Sequence, residues 1–331
     1  MTDTLISAAT AKLDSTTRRR PRLGFLGVGW IGQNRMQAIA RSGLAEVAVL
    51  CDTVPEALQR TLATVPSATA ATCFDELLDA DLDAVVIATP SAQHAEQSVR
   101  ALERGLAVFC QKPLGRTAGE VRRVVDTARA ADLLLGVDLS YRFVEAFRRA
   151  REVVRSGALG DVYAADLAFQ NAYGPDKPWL YDPELAGGGC VIDLGIHLVD
   201  LALWTLDLDG FEGVESHLVG EPVEHYATVQ LDGVRIACSW NLPAGRDAVI
   251  EASFYGPDGG VSVRNVDGSF YDFASERFHG TARELLAEPP DEWSGRAAVD
   301  WARRLAAGGR FDPEAERLVT LAETIDRVYR R

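Results

Sequence analysis

Three glycines near the start of the chain, Gly27, Gly29 and Gly32, restrict the fold more than any other feature of the sequence. They come at the end of an apolar run, 23–28, and at the start of a segment with helical spacing. In that setting the first glycine permits a tight turn, the second lets a phosphate group approach the backbone, and the third lets the helix pack on the strand. The pattern predicts a strand, a turn and a helix whose N-terminus faces a dinucleotide pyrophosphate. A glycine-rich turn without a ligand is the alternative.

The residues around this turn are the next candidates for cofactor contacts. Trp30 and Ile31 lie inside the glycine pattern, and Asp52 ends the second apolar run near the spacing at which an acid reaches the adenosine ribose. A carboxylate there accepts bonds from the ribose hydroxyls and repels a 2′-phosphate, and residues 53–55 include no arginine to neutralise one. The sequence therefore favours NAD over NADP. An aspartate that only caps the following helix is the alternative.

Short apolar runs alternate with helical stretches through the first half of the chain. The runs lie at 23–28, 47–51, 84–88, 107–110 and 133–137. Continuous apolar runs of this length are typical of strands buried on both faces, and strand–helix alternation produces a doubly wound parallel sheet. We predict an α/β domain over 21–140 that binds NAD, preceded by a disordered tail over 1–20.

The pattern changes after about residue 158. Apolar runs then follow one another across short Gly/Asp turns, which is typical of antiparallel hairpins; they lie at 162–169, 227–231, 234–240, 249–255 and 261–263. One strongly apolar helix, 190–206, interrupts them, and helices at 293–307 and 313–330 end the chain. We predict an α+β domain over 141–331 with a mostly antiparallel sheet, whose final helices pack back on the first domain.

Composition excludes several classes of protein. A chain of 331 residues accommodates about two domains, and no stretch of about 18 uncharged apolar residues is present to span a membrane. The net charge of -14 disfavours nucleic acid as a partner. The second half holds 31 Asp+Glu against 16 Lys+Arg, and acid that lines a cleft favours cationic ligands. The five cysteines have no metal-type spacing, which predicts reduced thiols in a cytoplasmic protein.

Polar residues follow the third and fourth apolar runs. Thr89 and Pro90 come after one, and Gln111, Lys112 and Pro113 after the other, so both groups lie at the carboxyl edge of the predicted sheet, where ligands bind. Lys112 is one of only three lysines in an arginine-rich chain, so it is a candidate for a titrating group. An ordinary surface lysine is the alternative.

The apolar helix carries a second group of candidates. Asp193 and His197 are four residues apart, so a regular helix places them on one face, after the space left by 187–189. An acid beside an imidazole orients it and raises its proton affinity, as a general base requires. A histidine satisfied inside the core is the alternative. The pair lacks a third nearby ligand, so we predict no metal site.

With these residues the sequence resembles the Gfo/Idh/MocA oxidoreductase family, which includes inositol dehydrogenases and glucose-fructose oxidoreductase. Four segments carry the resemblance in the family's order and spacing: GVGWIG, ATPSAQHAEQSVRALERGLAVFCQKP, SYRF and WLYDPELAGGGCVIDLGIHLVDLALW. It runs from residue 23 to 204 and continues weakly to the end of the chain. It implies a Rossmann domain followed by a domain whose mostly antiparallel open sheet packs the substrate against the nicotinamide and often forms an oligomer interface.

The resemblance also implies roles for single residues. The catalytic positions are those of Lys112, Asp193 and His197, and these residues contact substrate together with Arg142 and Trp179. Positions near the cofactor are those of Thr89, Pro90, His94, Gln111 and Lys112. It also implies a cis peptide at Pro113. The family's usual triplet is Glu-Lys-Pro, so Gln111 is a departure that removes a negative charge beside Lys112.

Together these features predict oxidation of a secondary hydroxyl on a sugar-like ring. His197, oriented by Asp193, removes the proton while hydride passes to NAD, and Lys112 holds the same oxygen. The acidic second half favours an amine-bearing substrate, such as an amino sugar or an aminoglycoside-type glycoside. Neutral sugar or inositol oxidation, keto-sugar reduction (nucleotide sugars included) and glycosidic cleavage with bound NAD stay open. A non-catalytic NAD sensor is disfavoured, because it would not need Lys112, Asp193 and His197 together. We expect a homo-oligomer without nucleic-acid or membrane partners.

Overall fold

The computed structural model describes residues 19–331, so the predicted tail lies almost wholly outside the described residues. Its first sheet has six parallel strands in the order β3-β2-β1-β4-β5-β6. The strands are β1 (Arg22–Leu26), β2 (Glu46–Cys51), β3 (Thr69–Ala70), β4 (Ala84–Ile87), β5 (Ala107–Cys110) and β6 (Leu135–Val137). Chain order reverses between β1 and β4, and this reversal opens a crevice at the carboxyl ends of the strands.

Helices cover both faces of this sheet, because its strands are apolar on both sides. They are α1 (Trp30–Ser42), α2 (Pro55–Leu62), α3 (Phe74–Leu78), α4 (Ser91–Glu103) and α5 (Ala118–Ala131). The five predicted runs are all strands, and the doubly wound parallel sheet is confirmed. The short strand β3 was not predicted, because its two residues are exposed and carry no apolar pattern.

The second sheet has eight strands in the order β14-β13-β12-β11-β7-β10-β9-β8. Every neighbouring pair is antiparallel except β7 with β10. The strands are β7 (Ala164–Asn171), β8 (Glu215–Val219), β9 (Tyr226–Leu231), β10 (Val234–Ser239), β11 (Ala248–Gly256), β12 (Gly259–Asn265), β13 (Phe273–His279) and β14 (Ala282–Ala287). The mostly antiparallel sheet is confirmed, although β8, β13 and β14 were missed because they are rich in polar residues.

One face of the second sheet is buried beneath α6 (Glu145–Arg155) and α8 (Ile196–Leu206). The predicted single helix 190–206 differs in the structure, because a π-helical turn, Val191–Gly195, precedes α8. The helical stretch Pro183–Leu206, which includes the short α7 (Pro183–Ala186), is long and apolar enough to cross a membrane. However, 83% of its apolar window is buried inside the protein. It is therefore the core helix of this domain.

The last two helices join the two sheets. Helix α9 (Arg296–Ala306) packs on α1 and β5, and the ring of Trp301 lies 5.5 Å from that of Phe109. Helix α10 (Arg317–Tyr329) packs on α5 on one side and on α8 on the other. The end of the chain thus holds the carboxyl edge of the first sheet against the second domain.

Candidate active site

A cleft of about 400 Å³ lies at the carboxyl edge of the first sheet, between that edge and the second domain. It collects most of the residues that the sequence singled out. Those that line it are Trp30, Ile31, Thr89, Pro90, His94, Gln111, Lys112, Trp179, Asp193 and His197. Gly27, Gly29, Gly32 and Asp52 belong to the turn that leads into α1, directly beside the cleft.

The glycine turn is shaped to hold a ligand. Gly27 has a φ of +85° and a Cβ there would lie 2.6 Å from the carbonyl oxygen of Ala88, while a Cβ on Gly32 would lie 2.1 Å from that of Gly27. The fold itself therefore requires these two glycines. Among residues 19–331, a Cβ on Gly29 would meet no atom within 4 Å, and no side chain caps the N-terminus of α1. This open cradle beside free backbone N–H groups fits a pyrophosphate.

Asp52 braces the glycine turn from the end of β2. Its Oδ2 accepts a hydrogen bond from Val28 N at 2.6 Å, and its Oδ1 accepts one from Val54 N at 2.8 Å. Neither contact caps α2, whose N-cap residue is Val54 and forms no side-chain cap bond among the described residues, so the capping alternative is not what the structure shows. A carboxylate has lone pairs for about two further donors, so Asp52 can also accept ribose hydroxyls.

His94 ties together the two loops that form the floor of the cleft. Its ring nitrogens lie 2.7 Å from the backbone oxygens of Thr89 and Pro113, which follow β4 and β5 respectively. Burial lowers the pKa of this imidazole. The Lys112–Pro113 peptide is cis, as the resemblance implies. His94 therefore lies between these two loops and donates to one of their backbone oxygens, the one its tautomer selects.

Lys112 and Asp193 form an ion pair across the cleft. The Lys112 ammonium donates to both Asp193 Oδ1 and the Asp193 backbone oxygen, each at 2.7 Å. Trp240 Nε1 donates to the other carboxylate oxygen at 3.1 Å. Sequence reasoning missed Trp240, because it follows β10, far along the chain from Asp193, with no local signal. These contacts hold the lysine across the boundary between the two domains.

The predicted pairing of Asp193 with His197 is wrong. The π-helical turn changes the angle between residues four apart, and Asp193 points to Lys112 instead. Within residues 19–331 no hydrogen bond reaches the ring of His197; the ring packs edge-on against Tyr141, with centroids 4.9 Å apart. Burial, followed by the positive charges of Lys112 and Arg35, lowers the pKa of His197 well below its ordinary value rather than raising it. The imidazole is therefore neutral, with a proton-accepting nitrogen, at neutral pH.

Arg142 does not lie where the resemblance placed it. Its guanidinium forms an ion pair with the buried Asp200, with Nε 2.9 Å from Oδ2, and it lines a different cavity. Residues Ser140–Phe143 form a 3₁₀ turn, so neighbouring side chains point in different directions, and Tyr141 faces the cleft instead. Arg142 neutralises a buried acid and does not line the cleft that holds Lys112 and His197.

The charges of the cleft differ from those predicted. Among the described residues, only Asp193 of the acids in the second half lines it, and Lys112 neutralises this carboxylate. Arg35 and Asp138 form a second pair in the cleft wall, and Lys177 adds one more positive charge. The condition under which the sequence favoured an amine-bearing substrate, acid that lines a cleft, is therefore not met by the described lining residues.

Comparison with known proteins agrees with the two-domain fold. The sequence pattern of the oxidoreductase family with an NAD-binding Rossmann fold matches residues 21–139, and that of the GFO/IDH/MocA C-terminal domain matches residues 147–262. The chain is 30% identical over 259 residues to the rhizopine catabolism protein MocA of Rhizobium meliloti. The aligned region covers 78% of this chain and 79% of that protein.

Two further proteins match along nearly the whole chain. One is the dTDP-3,4-didehydro-2,6-dideoxy-alpha-D-glucose 3-reductase of Streptomyces violaceoruber, 28% identical over 337 residues, which span 94% of this chain and 95% of the relative. The other is the crystal structure of GenD2 from gentamicin A biosynthesis in complex with NAD, with a TM-score of 0.80, 24% identity and 94% of both chains covered. With both of its domains matched, the chain belongs to the Gfo/Idh/MocA family of NAD-binding oxidoreductases.

Proposed function

We propose that this enzyme oxidises a secondary ring hydroxyl of a sugar-like substrate with NAD. The observation that carries the proposal is that Lys112 and His197 face one cleft, which lies directly beside the glycine cradle and is floored by the loops that His94 contacts. When bound, NAD supplies the hydride acceptor. The protein's own residues then bind the alcohol, hold its oxygen and move its proton.

Lys112 is placed to hold the reacting oxygen. An ammonium group has three N–H donors, and Asp193 accepts two of them through its carboxylate and its backbone oxygen. The third donor is left for the alcohol oxygen of the substrate, where it stabilises the negative charge that develops as the O–H proton leaves, before hydride transfer forms the carbonyl. The ion pair with Asp193 keeps the ammonium in this position.

His197 is placed to accept the proton of the alcohol. Its ring is buried against Tyr141, and its pKa is low, so one ring nitrogen is free to accept a proton at neutral pH. The reverse step, protonation of a keto sugar by the imidazolium, uses the same atoms. The site therefore serves either direction, and we propose oxidation as the one in which the neutral imidazole accepts the proton.

The substrate class follows from the walls of the cleft. Trp179, Tyr271 and Trp293 offer flat apolar surfaces suited to a sugar ring. No unpaired carboxylate is available among the described lining residues to bind an amine, so we propose a neutral sugar or inositol rather than an amino sugar or aminoglycoside.

A substrate panel tests this proposal. Purified protein is mixed with NAD or NADP and with neutral sugars, inositols, amino sugars, aminoglycosides or sugar nucleotides, and the absorbance of reduced nicotinamide is followed. We expect NADH to form with a neutral sugar or inositol. Reaction with amino sugars alone would contradict the substrate class, and reduction of keto sugars without any oxidation would contradict the direction. Sugar release without net NADH would indicate cleavage with bound NAD.

We also propose a cytoplasmic homo-oligomer. All five cysteines are free thiols, as suits a reducing compartment.

On β7, β10 and β11, alternate residues face away from the helices, and Ala168, Ala237 and Ser253 on that outer face are small and half-buried. A second copy of the chain can pack on this flat surface. Sedimentation equilibrium tests whether the protein is a homo-oligomer, and a monomer at micromolar concentration would contradict that proposal.

A further inference from the structure

A buried cluster of three side chains in the cleft wall has no role in the steps described above. Asp138 follows β6 and is 1% exposed, Gln111 follows β5 and is 8% exposed, and Arg35 on α1 is 4% exposed. Asp138 Oδ2 accepts from Arg35 Nε at 2.5 Å and from Gln111 Nε2 at 2.7 Å. Arg35 donates in turn to Asn34 Oδ1 at 2.8 Å. The three side chains therefore form one continuous network.

Backbone pairing at the edge of the first sheet places two of these residues side by side. The N–H of Gln111 donates to Ile87 O and the N–H of Asp138 donates to Cys110 O, both at 2.9 Å, so each residue continues the hydrogen-bonding ladder by one step beyond its strand. Gln111 and Asp138 are therefore held beside each other at the point where the sheet meets the cleft.

This network determines which way the amide of Gln111 points. An ionised carboxylate can only accept hydrogen bonds, so the amide group that faces Asp138 must be the NH₂. The amide oxygen Oε1 then lies on the other side, and no described residue donates to it. Because Gln111 lines the cleft, Oε1 is the atom that is free to accept a bond from a ligand there.

A structural role alone explains the network poorly. Asp138 Oδ1 is buried and has no hydrogen-bond partner among the described residues. Leaving a buried carboxylate oxygen unpaired is unfavourable, and such groups in native proteins need a further explanation. A function for the orientation of Gln111 would supply one.

We propose that Asp138, held by Arg35, is a positioning residue that turns Gln111 so that its Oε1 accepts a hydrogen bond from the nicotinamide half of the bound dinucleotide. The inference rests on the proposed function for the identity of the cofactor and goes beyond it in assigning roles to Asp138 and Arg35. A glutamate at position 111 would present an oxygen to the ligand in either orientation, because both of its terminal atoms are oxygens. A glutamine needs a neighbour to select the orientation of its amide.

Exchange of the carboxylate and the amide between positions 138 and 111 tests whether Asp138 orients Gln111. Asp138→Asn lets the amide of Gln111 turn either way, and we expect the NADH dissociation constant to rise about 2- to 10-fold. Gln111→Glu alone places two carboxylates together with one arginine, and we expect NADH to bind at least about tenfold more weakly at neutral pH. In the double variant Q111E/D138N, the new amide donates to the new carboxylate. We expect NADH affinity to return to within about twofold of the native value.

The readout is NADH binding in the absence of substrate, followed by quenching of tryptophan fluorescence; Trp30 is 65% exposed and lines the cleft. Thermal unfolding of the same proteins reports stability separately. Asp200→Asn is the matched control, because it removes the charge from a buried aspartate–arginine pair outside the cleft. We expect this variant to unfold at a lower temperature and to bind NADH as the native protein does.

Two results would overturn the inference. In the first, Asp138→Asn binds NADH with native affinity and loses only as much stability as Asp200→Asn does. The network would then be purely structural. The other is a double variant that binds NADH no better than the weaker single variant. Both are independent of turnover, so a protein that binds NADH but oxidises no sugar contradicts the proposed function and not this inference.

Discussion

Gly29→Ala separates cofactor binding from folding more cleanly than other changes in the glycine turn. Gly29 has a φ of -63° and a ψ of -172°, which any residue adopts, and its added Cβ would meet nothing within 4 Å. Alanine in place of glycine at such a position leaves stability unchanged or raises it by up to about 1 kcal/mol. Gly27 and Gly32 cannot serve this purpose, because a Cβ on either would collide with backbone atoms.

The methyl group of Gly29→Ala would occupy the space in which a pyrophosphate approaches the N-terminus of α1. Forcing one methyl group into a filled contact costs about 1–3 kcal/mol, so we expect the NADH dissociation constant to rise about 5- to 140-fold. Fluorescence titration measures this value, and urea unfolding measures the stability. Gly119→Ala in α5 is the matched control, because its added Cβ would have only Thr117 Oγ1 nearby, at 3.9 Å. Native affinity in Gly29→Ala would refute the assignment of the cradle.

Three further predictions follow from the contacts of the cleft. Lys112→Met removes the donor to the developing alkoxide, so kcat falls by about 10²–10³ in steady-state assays. Because burial and the charge of Lys112 lower the pKa of His197, and a base must be neutral to act, the pH profile of kcat/KM stays flat as pH falls to 6.5 and declines only in more acidic solution. Tyr329→Phe removes the donor to the buried Glu224, 2.7 Å away, and urea unfolding shows a loss of about 1–3 kcal/mol.

The parts of the site that could be predicted from sequence are those that local chemistry determines. Gly27, Gly29 and Gly32 act within one turn, and Thr89 and Gln111 follow apolar runs directly, so their places at the sheet edge follow from the strand pattern. Asp138 also follows such a run, after residue 137, and the same signal would have found it.

The parts that could not be predicted depend on partners distant in the chain. Trp240 meets Asp193 only because β10 lies beneath the π-helical turn, and that turn itself has no signal in the sequence. Arg142 pairs with Asp200 because a buried carboxylate needs a counter-charge, and the resemblance could not show that. The acidity of the second half is a property of the outer surface, and net charge does not reveal which acids line a cleft.

The central claim is that the side chains of this cleft move the proton and stabilise the charge that accompany hydride transfer to NAD. Its most direct test is kcat for sugar oxidation by His197→Ala, compared with native protein and with His217→Ala, a matched change on the exposed edge strand β8. We predict that kcat falls by about 10²–10⁴ in His197→Ala, with unchanged NADH affinity, and that His217→Ala behaves as the native enzyme does. Native kcat in His197→Ala would contradict the claim.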